Sequence, residues 1–155
     1  MTWATDRLDE IKQPGFAPPA VVARLGLGVL DDWGPGWVRK TWSPDQEDLK
    51  LADGSVFGGY IAALADQVLA FAAMTVIPNE ARYRTINLQV QFLKVARGHP
   101  LHIEGRVVDA SSRLIAVEAD FRRPDGQRIA TACAQQILLP MAPGAPTAAD
   151  TLRVL

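Results

Sequence analysis

Cysteine, histidine and aromatic side chains are scarce in this 155-residue chain: one cysteine, two histidines, and 7% aromatic residues. A single cysteine, Cys133, excludes an intramolecular disulfide and a multi-cysteine zinc site, and it fits a reducing compartment. His99 and His102 flank Pro100 without an acidic cluster nearby, so no metal set is expected and both read as surface residues. The formal net charge of -1 supplies no basic face of the kind that holds nucleic acid through its phosphates. There is no Gly-x-Ser-x-Gly elbow for a serine hydrolase, and no dinucleotide or P-loop glycine pattern. The N-terminus lacks a basic segment followed by an apolar one, so it does not read as a signal peptide. The one candidate for a membrane span, residues 60–77, is 18 residues long and carries Asp66, which argues against a span. The expectation is a cytoplasmic, single-domain protein that binds neither nucleic acid nor membrane.

What is present is organised around residues 53–77, DGSVFGGYIAALADQVLAFAAMTVI. An Asp-Gly turn leads to Gly58-Gly59 and then to an apolar run broken by Asp66 and Gln67. Apolar residues fall on every side of a helix over 60–77, which predicts burial nearly all round and makes Asp66 a carboxylate in need of donors or a use. Before it, a short helix ends near Ile11 with Thr5 or Asp6 as cap, and a second short segment follows Pro18-Pro19. Residues 27–30 read as a first strand, 31–36 as a turn and 37–42 as a return strand. Trp33, Trp37 and Trp42 read either as strand aromatics packed on the long helix or as a binding surface.

After the helix the apolar period falls to two. Residues 83–96, 101–110, 113–123 and 128–139 alternate in character and are separated by short turns, which predicts a meander of antiparallel strands. Gly105 marks a bulge or a close approach. Cys133 reads as a small packed residue, and 140–155 as a frayed tail. Two strands, one buried helix and four strands form an α+β domain. A strongly curved, mostly antiparallel sheet of about six strands wraps the helix, whose alanines let the sheet come close.

In this order and spacing the chain resembles the hotdog-fold acyl-CoA thioesterases of the phenylacetate-degradation and 4-hydroxybenzoyl-CoA type. The resemblance covers roughly 27–140. Phe57-Gly58-Gly59 matches the glycine turn, and Asp66 of Leu64-Ala65-Asp66 stands eight positions after Gly58, where the family carries its acidic residue. TINLQVQFLKVARG and the stretch 105–139 resemble its central and closing strands. The division implied is an N-terminal helical segment (1–26), a hotdog domain (27–140) and a C-terminal tail (141–155). Three positions depart from the pattern. Phe57 replaces the turn histidine, Ala70 replaces a hydroxyl residue one turn after Asp66, and Leu51-Ala52-Asp53 stand where a polar loop residue assists.

The resemblance implies hydrolysis of a small or medium acyl- or aryl-CoA thioester by a homodimer or a dimer of dimers, with no cofactor beyond coenzyme A as part of the substrate. A carbonyl in hydrolysis needs a donor for its developing negative charge, and the amides opening a helix supply one; Gly58, with Gly59, is the candidate. Asp66 lies about 12 Å further along the helix, so one chain cannot bring both to one carbonyl. The family dimer implies Asp66 of one subunit facing Gly58 of the other, with Asp66 acting as general base or as nucleophile. The last strands would pair across the two-fold axis. Phe57, Tyr60, Gln67 and Arg113 are the candidate substrate contacts. Tyr60 with Leu64 would line the acyl pocket. Gln67 would position water or else satisfy a backbone group. Arg113, with Arg97, Arg122 and Arg123 behind it, would meet CoA phosphates. Read structurally, Asp66 is a hydrogen-bonded carboxylate that sets helix pairing. The alternatives left open are a non-catalytic acyl-CoA-binding protein, a hotdog hydratase or dehydratase, and a thioesterase for carrier-protein thioesters.

Overall fold

The computed structural model of the protein describes residues 1–141; the expected tail falls almost wholly outside them. The chain runs α1 (Trp3–Lys12), α2 (Ala20–Arg24), β1 (Asp32–Gly34), β2 (Trp37–Trp42), a single 3-10 turn (Glu47–Leu49), α3 (Gly58–Met74), β3 (Ala81–Phe92), β4 (Leu101–Ala110), β5 (Leu114–Arg122) and β6 (Arg128–Pro140). All six strands form one antiparallel sheet in the order β1-β2-β4-β5-β6-β3, and α3 lies across its inner face. The expected α+β architecture, one long helix held by a six-stranded sheet, is present. None of the helices among the described residues is long and apolar enough to cross a membrane.

Small side chains set the distance between helix and sheet. The helix contributes Ala65, Ala72 and Ala73, and β6 meets it with Ala130, Ala132 and Ala134, all buried. At β4 the approach is closer still. A Cβ on Gly105 would stand 2.8 Å from Val68 Cγ1 and 3.2 Å from the Val68 carbonyl oxygen, so this glycine is a close approach rather than a bulge. Large residues fill the remaining space: Leu64, Leu69, Ile103, Ile115 and Phe121 are all within 1% of full burial. Helix α1, capped by Thr2 rather than by Thr5 or Asp6, adds Ala4, Leu8 and Ile11 to the same core.

Three sequence expectations shift. Residues 27–30 are not a strand, because Gly26 and Gly28 take positive φ (58° and 69°) and bend the chain; pairing begins at Asp32. On β6 the alternate residues are buried: Ala130, Ala132, Ala134 and Gln136 face the helix, and Cys133 is exposed on the outer face, 3.7 Å from Gln89 Oε1. The alternation Ile129, Cys133, Ile137 suggests the opposite face as core, but of these only Ile129 is buried; along the rest of the strand the alanines meet the helix. Finally, β6 lies inside the sheet between β5 and β3, so the strand left at the edge is β3 rather than one of the last strands.

Lys40 shares the inward parity of Val38 and Trp42 on β2 and is 2% exposed. Its Nζ donates to Gln67 Oε1 at 2.5 Å, and Gln67 Nε2 donates to the Gly28 carbonyl at 3.0 Å. Burial pushes the Lys40 ammonium down to about 8, with the Asp31 charge partly opposing. The unfolded chain holds this proton up to about 10.5, so stability rises with pH between these values.

Two predictions follow from this packing. Gly105→Ala lowers stability by about 1–3 kcal/mol in denaturant unfolding, since Val68 and its backbone must shift; an unchanged midpoint contradicts the close approach. Between pH 8 and 10.5 the stability difference Lys40→Met minus wild type falls by on the order of 3 kcal/mol as the wild type gains stability. A difference constant across that range contradicts the buried, deprotonating lysine.

Candidate active site

Phe57 precedes α3 without offering a side-chain cap, and Gly58 and Gly59 open the helix. Neither glycine amide has an intrahelical acceptor, and neither donates to a backbone acceptor among the described residues, whereas the Tyr60 and Ile61 amides turn back to the Phe57 carbonyl. Two free amides at the positive end of a 17-residue helix make a local anion-stabilising point. Aromatic rings stand on both sides. Phe92 Cζ would lie 3.3 Å from a Cβ on Gly58, and Phe57 Cε1 only 2.5 Å from one on Gly59. Both rings are more than half exposed, at 57% and 56%.

An apolar cavity of about 300 Å³ opens beside Gly58, lined by Ile61, Phe92, Ala96, Ile129 and Ala130 among others. Ser55 and Lys94 also border it, but most of its wall is apolar and suits an uncharged chain or ring.

Asp66 is exposed in the single chain, not enclosed as the apolar helix suggested; its side chain reaches the β3 edge. There the Thr85 hydroxyl lies 3.0 Å from Asp66 Oδ1 and 3.0 Å from Oε1 of the fully buried Gln136. Burial pushes the Tyr83 phenol up to about 12, and the neighbouring Asp66 charge adds to the rise, so this phenol keeps its proton beside the carboxylate. The sequence pattern does not mark Thr85. Strict alternation back from Leu88 places it outward, but the register shifts between Thr85 and Asn87, and this bulge turns Thr85 toward the helix opposite Gln136.

The other predicted contacts lie elsewhere. Tyr60 is 5% exposed, packs against Trp42 with ring centroids 5.0 Å apart, and donates its hydroxyl to the Leu25 carbonyl; it does not line the cavity beside Gly58. Gln67 is held between Lys40 and Gly28 on the β2 side of α3. Arg113 sits in the β4–β5 turn, where its carbonyl accepts from Leu138. From Ile137, beside that turn, to Ala130 at the cavity is seven residues of β6, about 23 Å, so Arg113 and Gly58 of one chain stand at opposite ends of the sheet. Asp53 accepts from the Ser55 amide (3.0 Å) and hydroxyl (2.5 Å), and it pairs with Arg97 at 2.9 Å. These bonds, Ser55 foremost, hold its carboxyl below the usual carboxylate range. Arg122 pairs with Asp120 at 3.5 Å, and Arg123 donates to Gln127 at 2.7 Å. Among the described residues no group of His, Cys, Asp and Glu is arranged to hold a metal ion.

Comparison with known proteins agrees with this architecture. A crystal structure of a phenylacetic acid degradation-related protein from Ralstonia eutropha JMP134, described as a candidate thioesterase, superposes with a TM-score of 0.73 at 26% identity, covering 88% of this chain and 99% of that one. A Streptococcus mutans UA159 protein solved with acetyl CoA shares the fold at a TM-score of 0.65 and 21% identity, over 74% of this chain and 90% of its own. A Saccharolobus solfataricus protein, named as a candidate esterase, is 34% identical over 85 residues. That match spans 54% of this chain and 59% of the relative, so the chain corresponds to rather more than half the length of that protein. The family profile of the thioesterase superfamily matches residues 53–130, which contain the glycine turn, Asp66 and Thr85. With its hotdog architecture and this match, the chain belongs to the thioesterase superfamily.

Proposed function

We propose that the protein is a homodimeric hydrolase of small or medium acyl- or aryl-CoA thioesters. Asp66 of one subunit and the Gly58 amide of the other act on the same carbonyl. The observation that carries this reading is the placement of both groups along one edge strand. β3 runs from Thr85, beside Asp66, to Phe92, beside Gly58, and it is the terminal strand of the sheet. Its 12 residues leave a row of unpaired backbone groups, whereas β1, at the other edge, has only 3. Antiparallel pairing of β3 with the β3 of a second copy would satisfy those groups. It would also set each chain's Thr85 end against the other's Phe92 end. Asp66 then approaches the glycine turn of the second chain, which it cannot do in its own. The exposed apolar side chains of Ile86, Leu88, Phe92 and Leu93 along this edge support burial by a partner.

In this arrangement the thioester carbonyl oxygen receives the Gly58 N–H, and the acyl group enters the apolar cavity beside it. Asp66, accepting from Thr85 at Oδ1, takes a proton from water at Oδ2 as that water adds to the carbonyl carbon. Collapse breaks the C–S bond, and the proton passes to the departing thiolate, giving free acid and thiol. Phe57 lacks the proton-carrying ring that hydration or dehydration at this turn would use, which favours hydrolysis. The coenzyme A moiety is supported by the resemblance and by the acetyl CoA held by the Streptococcus mutans protein.

The test is thiol release from acetyl-, benzoyl- and phenylacetyl-CoA. Asp66→Asn is expected to lower kcat by roughly 10²–10⁴ with the dimer intact. Tight binding of the CoA esters without thiol release would establish a binding protein instead, and turnover confined to acylated carrier protein would move the substrate to that class. Single turnover in H₂¹⁸O is expected to label the product acid and leave Asp66 unlabelled; label in Asp66 would make it the nucleophile.

A further inference from the structure

Gln136 is the fourth inward residue of β6 after Ala130, Ala132 and Ala134, and the one polar side chain in that row. It is 0% exposed, and its Nε2 has no hydrogen-bond partner. A buried amide with two idle N–H groups costs stability, so its presence among alanines asks for a reason. Its oxygen meets Thr85 Oγ1 at 3.0 Å, and the same Oγ1 stands 3.0 Å from Asp66 Oδ1. One hydroxyl carries one proton. With the Gln136 oxygen facing Thr85, that proton is contested by two acceptors, and whichever loses is an oxygen pressed against an oxygen.

The two ends of a side-chain amide have the same shape, and the hydrogen-bond network decides which faces where. Turning the amide by 180° about its terminal bond removes the conflict. Nε2 then donates to Thr85 Oγ1, and the hydroxyl proton is left for Asp66. What remains unpartnered is a carbonyl oxygen and one N–H in place of two N–H groups, and buried sites tolerate an unpaired carbonyl oxygen better than an unpaired N–H. We propose that Gln136 is a positioning residue for Asp66, acting through Thr85: its amide nitrogen donates to Thr85 Oγ1 and commits the only hydroxyl proton to the Asp66 carboxylate. The series runs from the core outward, buried Gln136 to exposed Thr85 to exposed Asp66. It exists because the β3 bulge turns Thr85 inward. It fixes the orientation of Asp66 and leaves Oδ2 for the water. The catalytic consequence rests on the thioester reading above; the hydrogen-bond order does not.

Neutron diffraction from a deuterium-exchanged crystal of the wild-type protein reads the order directly. Deuterons on Gln136 facing Thr85, and the Thr85 deuteron facing Asp66, are expected; the Gln136 oxygen facing Thr85 overturns the proposal. Kinetics with the best of the three CoA esters read the consequence. Gln136→Met is expected to lower kcat about tenfold with KM within about twofold. Thr85→Val should lose as much, and Thr85→Ser, which keeps the hydroxyl, should stay within about threefold of wild type. The double variant Thr85→Val/Gln136→Met should be no slower than Thr85→Val alone, because Gln136 acts only through that hydroxyl. A role in packing alone would make the two losses multiply, and that result, or an unchanged kcat in a folded Gln136→Met dimer, overturns the proposal. If Gln136→Met does not fold, the diffraction result and the Thr85 pair still decide it. A wild-type protein that releases no thiol overturns the thioester reading, while the diffraction experiment continues to decide the hydrogen-bond order.

Discussion

The close seating of one helix on a curved sheet governs the rest of this molecule. Gly105 admits Val68 to within contact of the β4 backbone, and facing alanines on α3 and β6 keep the helix low across the sheet. A helix held at that height has little freedom to slide or turn, because larger side chains interlock on either side of the seam. Its first turn therefore has a fixed address at the Phe92 end of β3, and its second and third turns carry Asp66 to the Thr85 end. Catalytic geometry in this account is inherited from packing.

The same packing explains which charges the fold tolerates. Asp66 leaves the helix on the side where the sheet ends, so its carboxylate stays in water in the single chain. Lys40, on the opposite flank, has no such outlet. It is enclosed between β2, α3 and the segment around Gly28, and Gln67 is the group that meets its ammonium. Adjacent positions on one helix thus serve different ends: Gln67 is occupied by the core, and Asp66 is kept available.

Much of this is legible in the sequence, and the rest fails for physical reasons. The length and order of the elements follow from apolar periodicity and turns, and the alanine content of the helix announces a close sheet. The spacing from Gly58 to Asp66 shows that one chain cannot bring both to one carbonyl, and only the resemblance implies a site divided between chains. Parity on β6 is where periodicity partly misleads: of Ile129, Cys133 and Ile137, the apolar set on one parity, only Ile129 is buried, and the helix is met by Ala130, Ala132 and Ala134 on the other. Thr85 is hidden by a one-residue bulge, which a strict alternation cannot contain. Gln136 is hidden because a glutamine reads as solvent-facing until its neighbours are known. Lys40 shares the parity of Val38 and Trp42, a signal available in the sequence, but a lysine at an inward position is easily read as an interruption. Tyr60 and Arg113 illustrate a further limit, since adjacency in sequence to the glycine turn, or to a strand end, does not say which end of the sheet a side chain serves.

The central claim is that each site is shared by two chains, and mixed dimers test it most directly. Protomers carrying Asp66→Asn and protomers carrying Gly58→Val, each inactive alone, are refolded together in equal amounts. If the site is shared, every mixed dimer holds one doubly damaged site and one intact site. Thiol release then returns to about one quarter of wild type, since half of the dimers are mixed and each has one working site of two. If Asp66 and Gly58 of the same chain act together, every site in the mixture keeps one lesion and the activity stays at the level of the inactive parents.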